Sequence, residues 1–357
     1  MLPDQALLKG INREETIVKY RTLGRTGVEV SELCLGAMMF GAWGNPDHDD
    51  SVRIIHRALD AGINFIDTAD VYSAGESEKI VGKALTDGRR RDVVLATKAH
   101  GQMGKDRNAR GNSRRWITAE VENSLRRLGT DYIDLYQIHR PDPTCDVEET
   151  LGALTDLVRA GKIRYFGSST FPAHEIVEAQ WVADRRGLGR FVCEQPPYSI
   201  LARGIERDVL PVARKYGIGV IPWSPLNGGF LSGRFRTGVT PKPSHRDQLR
   251  SARGAAESPA EKIKRAAAED LGDLAEKFAM TVVDMAIAFV LNHPAVTSAI
   301  IGPRTMEQLE SQLSSPDVEL SEELLDAIDA IVPPGVTLDT GDAGYDPPTL
   351  LTENRRR

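Results

Sequence analysis

The chain has 357 residues, 41% of them hydrophobic and 27% charged, with 45 Lys and Arg against 51 Asp and Glu for a net charge of −6. This length suits one large α/β domain or two ordinary ones, and a mildly acidic balance gives no electrostatic footprint for nucleic acid. Cys34, Cys145 and Cys193 lie far apart without C-x-x-C pairing, and the seven histidines form no H-x-H or H-E-x-x-H pattern, so neither a disulfide framework nor a metal site is expected.

The first residues, MLPDQALLKGINREE, lack the apolar core of a signal peptide, and no apolar run reaches the about 18 residues of a membrane helix. The sparse cysteines suit a reducing compartment, so a cytoplasmic location is expected. Residues 1–19 read as an N-terminal extension. YRTLGRTGVEVSE, residues 20–32, predicts a hairpin punctuated by Gly24 and Gly27. Leu33-Cys-Leu-Gly-Ala-Met38 predicts a strand. Residues 52–61 carry apolar side chains at helical spacing and stop at Gly62.

Strand and helix then alternate. Strands are predicted at 63–66, 93–98, 132–139, 165–169, 191–195 and 219–224. Helices are predicted at 77–85, 118–128, 147–159, 173–186 and 206–216; the second of these has Thr118 as its N-cap and Glu120 in its first turn. The 227–260 segment is rich in Gly, Pro, Ser and Arg and is too long for an ordinary connection. One helical stretch is expected over about 260–291, then a strand at 298–301 and helices at 306–313 and 321–331. The tail, 333–357, is rich in Pro and Gly and is expected to lie extended over the rest.

Such alternation means parallel strands with crossover helices. An open doubly wound sheet and a closed (β/α)8 barrel both satisfy it. Eight strands, each followed by a helix, and no G-x-G-x-x-G after the first strand favour an α/β TIM barrel over 20–332. It carries an N-terminal β-hairpin, a long loop after the seventh strand and an extra C-terminal helix.

In such a barrel the reactive groups stand at the C-terminal strand ends. The second strand ends in Asp67, with Tyr72 on its loop; the third ends in Lys98 and the fourth in His139, followed by Arg140. The fifth ends in Ser168 and Ser169, the sixth in Gln195, the seventh in Trp223 and Ser224. Each alone reads as a polar loop residue; together they make a chemistry. A phenol titrates near about 10 in water, too high for ready proton transfer at neutrality. An ammonium beside it favours the phenolate. Lys98 can supply that charge, Asp67 can hold Lys98, and His139 can hydrogen-bond a carbonyl oxygen at the same point. The set is a proton relay ending on Tyr72.

The motifs YRTLGRTGVEVSELCLGAMMFG, GINFIDTADVYS, VVLATK, SLRRLGTDYIDLYQIHRPD, GSST, CEQPPYS, WSPL and IIGPRTMEQLESQ resemble those of the aldo-keto reductases from about Tyr20 to Val332. Ser113-Arg-Arg-Trp-Ile117 is similar to its bacterial and potassium-channel β-subunit-like branch. The resemblance implies a nicotinamide cofactor, usually NADPH, and direct hydride transfer to the carbonyl carbon of a small-molecule substrate. It makes Asp67, Tyr72, Lys98 and His139 the catalytic tetrad, with Tyr72 the general acid in reduction. Its implied cofactor positions include Gly36, Met38 and Asp67. Ser168, Ser169 and Gln195 meet the carboxamide, and Trp223 stacks on the ring. Ser224, Leu226 and Arg234, with Gly228 in the same loop, follow the pyrophosphate. Gly302, Arg304, Gln308 and Gln312 surround the adenosine end. Arg304 suits a 2′-phosphate, so NADPH is preferred to NADH. Arg246 is a candidate to close over the cofactor.

Two departures stand out: Ser169 where asparagine is common, and Ala37-Met38 where threonine and an aromatic often follow the glycine. Trp43, His100 and Trp116 are candidate substrate-loop residues. Met38, Met39 and Phe40 either line the pocket or plug the barrel end. Arg140 reads as structural and Cys193 as a packed strand residue. The branch includes monomers, tetramers and octameric rings, so a homo-oligomer is compatible. The competing function is a cofactor-binding regulatory or assembly subunit resembling the channel β-subunits. A Schiff-base enzyme using Lys98 is weaker, since it leaves Trp223, Gln195 and the GPRTMEQLESQ stretch without a task.

Overall fold

The structure, a computed structural model, describes residues 19–236, 238–239, 258–350, 352 and 354–355. Arg246 lies outside the described residues, as does the N-terminal extension save Lys19.

Strands β1 (Tyr20–Thr22) and β2 (Glu29–Ser31) form the expected antiparallel hairpin, with Tyr20 opposite Ser31. Its turn closes the barrel floor. A Cβ on Gly24, at φ 55°, would stand 2.8 Å from Gly219 N and Val192 O, so only glycine permits this approach.

The barrel strands are β3 (Leu33–Gly36), β4 (Phe65–Asp67), β5 (Val94–Ala99), β6 (Ile133–Ile138), β7 (Ile163–Ser169), β8 (Cys193–Gln195), β9 (Gly219–Val220) and β10 (Ala299–Ile301). Neighbours in the chain are parallel neighbours in the sheet, and β10 pairs with β3. The remaining seam is closed by Thr297 N on Val220 O at 2.7 Å and Ile300 N on Pro222 O at 2.9 Å. The eight strands therefore make the TIM barrel. Cys34, Phe65, Ala96, Leu135, Cys193, Ile221 and Ile300 fill its interior, with Leu23 and Val30 of the hairpin below. Leu35, Ile66, Leu95 and Ile138 belong to the larger apolar cluster shared with the helices. Burial on both faces is why the strands read as near-continuous apolar runs.

The helices are α1 (His48–Asp60), α2 (Glu76–Ala84), α3 (Arg114–Leu128), α4 (Val147–Arg159), α5 (Ala173–Arg186), α6 (Val209–Tyr216), α7 (Pro259–Lys277), α8 (Val282–Asn292), α9 (Met306–Leu313) and α10 (Glu322–Ile331). Three differ from expectation for local reasons. The first begins at His48 because the Asp47 carboxylate caps Asp49 N and Asp50 N; its polar first turn shows no apolar period. The third is capped by Ser113, which accepts from Trp116 N, so Thr118 lies inside the helix and Glu120 is fully buried beyond its first turn. The expected stretch over 260–291 is two helices: Ala279 takes φ 54° and Thr281 caps the second by accepting from Asp284 N.

The start of the tail lies extended across the barrel. Arg203 N donates to Val336 O at 2.9 Å and Leu338 N to Leu201 O at 3.1 Å. A short 3-10 turn, Thr340–Ala343, then leads to the barrel mouth. Among the described residues no helix is long and apolar enough to cross a membrane, and no group of three His, Cys, Asp or Glu could hold a metal ion.

Candidate active site

Asp67 and Lys98 end up beside each other because β4 and β5 are adjacent parallel strands whose last inward side chains meet at the mouth. Lys98 is fully buried and Asp67 nearly so. The ammonium donates to Asp67 Oδ2 at 2.5 Å, to Thr68 O at 2.8 Å and to the Tyr72 hydroxyl at 3.2 Å. Its three hydrogens are thus committed, which removes the free amine that a Schiff base needs. Burial pulls the ammonium down, but Asp67 and Tyr72 more than offset it and hold Lys98 above its ordinary value. It is a fixed positive charge.

Tyr72 corrects one expectation. Its phenol lies above, not below, its ordinary value: burial pushes it up and the Lys98 charge only partly opposes this. The free protein therefore holds the phenol protonated, as a donor must be. His139 stands edge-on to Tyr72, with ring centres 5.7 Å apart and planes at 80°. Burial, then the charges of Lys98, Arg140 and His100, drive its imidazole well below the usual range. It is neutral at neutral pH and so has one N–H to give.

The other side of Asp67 shows a residue that sequence reading missed. Gln137 Nε2 donates to Asp67 Oδ1 at 3.1 Å, beside Gln195 Nε2 on the same oxygen at 2.9 Å. Gln195 Nε2 also reaches Gln137 Oε1 at 3.1 Å. The signal was available: Gln137 lies two residues before His139 in the strand predicted over 132–139, an alternation that gives both the same face, and a glutamine amid buried apolar residues needs partners.

Ser168 and Ser169, adjacent on β7, face opposite ways. Ser168 Oγ donates to the buried Glu194 Oε2 at 2.5 Å. Ser169 Oγ donates to Gln195 O at 2.9 Å and lies 3.5 Å from Arg140 Nη1. The Arg140 guanidinium also sits 6.0 Å from the Trp223 ring centre. Gly36 pairs with Asp67 across β3 and β4, and a Cβ there would meet Ile300 Cγ2 at 2.6 Å. Met38 and Met39 are half-buried, whereas Phe40 is fully buried in the outer apolar cluster. Of the aromatic candidates, Trp43 packs 6.0 Å from Tyr72. Trp116 is buried in α3, and His100 Nδ1 is 2.9 Å from Asn112 Oδ1.

After Trp223 the chain turns through Ser224, at φ 59°, and Leu226 into a 3-10 turn with Gly228 at φ 65°. With Pro197–Ala202 and Gly341–Asp342 this loop encloses a cavity of about 170 Å³. Asn227 Nδ2 bonds Ser199 Oγ at 3.2 Å and Asp342 Oδ2 at 3.0 Å, while its Oδ1 is buried without a partner. Arg234 stacks 4.6 Å over the Phe235 ring. On the far side, Gly302 has open space where a Cβ would stand. The Arg304 backbone N–H donates to Gln308 Oε1 at 2.8 Å, and its guanidinium makes no ion pair among the described residues. Gln312 is buried on α9. A larger cleft of about 490 Å³ lies between residues 232–236 and α7, α8 and α9; no tetrad residue lines it.

The aldo/keto reductase family model matches residues 32–333. An uncharacterized oxidoreductase of Bacillus subtilis, YrpG, is 39% identical over 88% of this chain and 96% of its own length. The aldo-keto reductase YhdN of the same species is 37% identical over 82% of this chain and 87% of its own. A probable voltage-gated potassium channel subunit beta of Oryza sativa is 35% identical over 88% of this chain and 97% of its own.

Proposed function

Because this chain belongs to the aldo/keto reductase family, and is an oxidoreductase, we propose that it reduces an aldehyde or ketone to the alcohol with NADPH, Tyr72 acting as general acid. The observation that carries this reading is the Lys98 ammonium, buried and shared between Asp67 and the phenolic oxygen of Tyr72. NADPH, when bound, supplies the hydride. Tyr72 gives its proton to the carbonyl oxygen as that oxygen becomes an alkoxide. The phenolate left behind faces Lys98, whose charge stabilises it at the moment it forms. Asp67, held by Gln137 and Gln195, keeps Lys98 aimed. The neutral His139 donates an N–H to the same substrate oxygen and orients it. In oxidation the phenolate takes the proton back.

The residues at the mouth fit a dinucleotide. Asn227 Oδ1 is an unfilled buried acceptor, Gly302 leaves a cradle open, and Arg304 has no competing carboxylate among the described residues. Gln195 spends its amide hydrogens on Asp67 and Gln137, which leaves Oε1 to accept from a carboxamide. Ser169 presents a hydroxyl at the same place, whereas Ser168, which the resemblance also assigns there, is held by Glu194 on the other face of the strand. Trp223 covers one ring face. Ser224, Leu226, Gly228 and Arg234 follow the pyrophosphate; Gly302, Arg304, Gln308 and Gln312 take the adenosine end, and Gly36 and Met38 complete the near wall.

The test is titration of tryptophan fluorescence with NADPH and with NADH, for wild type and Arg304→Ala. A preference for NADPH that collapses in the variant is expected; equal affinities, or no binding at micromolar nucleotide, would overturn the assignment. The second reading, a regulatory or assembly subunit that keeps its cofactor, is favoured by the identity with the rice channel subunit. NADPH binding without turnover of any aldehyde or ketone in a broad panel would select it.

A further inference from the structure

The turn that carries Tyr72 is built against the preferences of its residues. Ser73, Ala74 and Gly75 take φ of 48°, 55° and 88° in succession. Serine and alanine are disfavoured in this left-handed region and stay there only where neighbours hold them. On the mouth side, Trp43 N donates to Ser73 Oγ at 3.1 Å. On the other side the Arg127 side chain lies against Gly75: a Cβ on that glycine would stand 2.7 Å from Arg127 Cδ.

Arg127 is itself fixed. Its Nε donates to Glu78 Oε2 and its Nη2 to Glu120 Oε1, both at 2.5 Å, and Nη2 reaches Ser124 Oγ at 3.2 Å. Glu78 and Glu120 are fully buried. Glu78 Oε1 accepts from Thr97 Oγ1 at 2.6 Å, one residue before Lys98. One guanidinium thus ties α2, α3 and β5 together behind the phenol.

We infer that Arg127, gripped by Glu78 and Glu120, is a positioning residue for Tyr72: it holds the left-handed turn that keeps the phenolic oxygen within hydrogen-bond reach of Lys98. Asp70, between Asp67 and Tyr72 in the chain, completes the charge balance. It is fully buried, with Oδ1 on Val71 N at 2.6 Å and Oδ2 without a partner. Burial first, then Glu120 and Glu78, lift its carboxyl well above the ordinary range. Arg127 therefore faces the carboxylates of Glu78 and Glu120, with the Asp70 carboxyl and the unpartnered Tyr136 hydroxyl in the same field.

The role presupposes Tyr72 as the proton donor, as proposed above. The test compares wild type, Arg127→Lys, and Arg127→Lys combined with Ala74→Gly, using NADPH and 4-nitrobenzaldehyde. Lysine keeps the charge but cannot fork to both carboxylates. Arg127→Lys is expected to lower kcat by about 10- to 100-fold, the scale of a misplaced reacting group, with KM and NADPH affinity nearly unchanged. Glycine enters the left-handed region freely, so Ala74→Gly should restore much of kcat. A role confined to tying α2 to α3 would lower the melting temperature with no such rescue. Wild-type kcat in a folded Arg127→Lys, or a loss that glycine leaves untouched, overturns the inference. Should Arg127→Lys not fold, Gly75→Ala, which drives a methyl into Arg127, is expected to lower kcat likewise; wild-type kcat in it overturns the clamp. If the wild-type protein binds NADPH but turns over no carbonyl, the reductase reading fails separately. Hydrogen exchange then decides the clamp: amides 72–76 should exchange faster in Arg127→Lys, and unchanged rates there overturn it.

Discussion

Glu194 makes the most direct test of how a buried charge is tolerated behind the mouth. Its carboxylate is fully buried, accepts from Ser168 Oγ at 2.5 Å and Phe171 N at 3.2 Å, and makes no ion pair among the described residues. Burial raises it from the ordinary 4.5 to about 7, against the lowering by Ser168 and the backbone N–H groups. The folded protein thus holds this proton where the unfolded chain has lost it. Stability from this group is full below pH 4.5 and is lost as pH rises through about 7. A gap of that size is worth about 3 kcal/mol. Glutamine keeps the shape and never ionises. Urea unfolding midpoints of wild type and Glu194→Gln, taken between pH 5 and pH 9 at constant m, should therefore diverge. The variant should gain on the wild type by up to about 3 kcal/mol as pH rises. A stability difference that stays flat across this range would refute the reasoning: Glu194 would then be hydrated or paired in a way the structure does not show.

Tyr72→Phe removes the only proposed proton donor; kcat should fall by about 10²–10⁴-fold, with NADPH affinity by fluorescence titration unchanged. Lys98→Met leaves Asp67 buried without its cation, and urea unfolding should show a loss of about 3–5 kcal/mol. Ser113→Ala removes the cap of α3 and should cost about 1 kcal/mol. Thr118→Ala, inside that helix, should change stability by less than about 0.5 kcal/mol in the same assay; the reverse order would restore Thr118 as the cap.

The barrel was legible in the sequence because its strands are buried on both faces and its helices on one, so apolar run and helical period alternate without a break. Boundaries were lost where polar side chains do backbone work. Asp47 and Ser113 start helices before any apolar period begins. Ala279 breaks a helix with no glycine or proline at the break, through a left-handed residue that composition does not flag. Likewise the left-handed turn after Tyr72 is written as Ser-Ala-Gly, of which only the glycine announces it.

At the site, residue type picked out Asp67, Tyr72, Lys98 and His139, which the structure brings together, but not the sign of their electrostatics. An ammonium beside a phenol suggests a lowered phenol; burial of the phenol, with the Asp67 charge beside it, reverses the net effect on Tyr72. Charge proximity can be guessed from strand order, whereas desolvation depends on what covers the site. Strand alternation supplies the remaining distinction. Asp67, Gln137 and Gln195 meet on the inside, while Ser168 and Glu194 meet on the other face of the same strands. A polar residue one step away from a tetrad strand end belongs to the scaffold behind it; a residue two steps away belongs to the site. Glu78 and Arg127 extend that outer face into the helices. The aim of Tyr72 is therefore set from outside the barrel, through residues whose own sequence context, an ordinary amphipathic helix, reads only as packing.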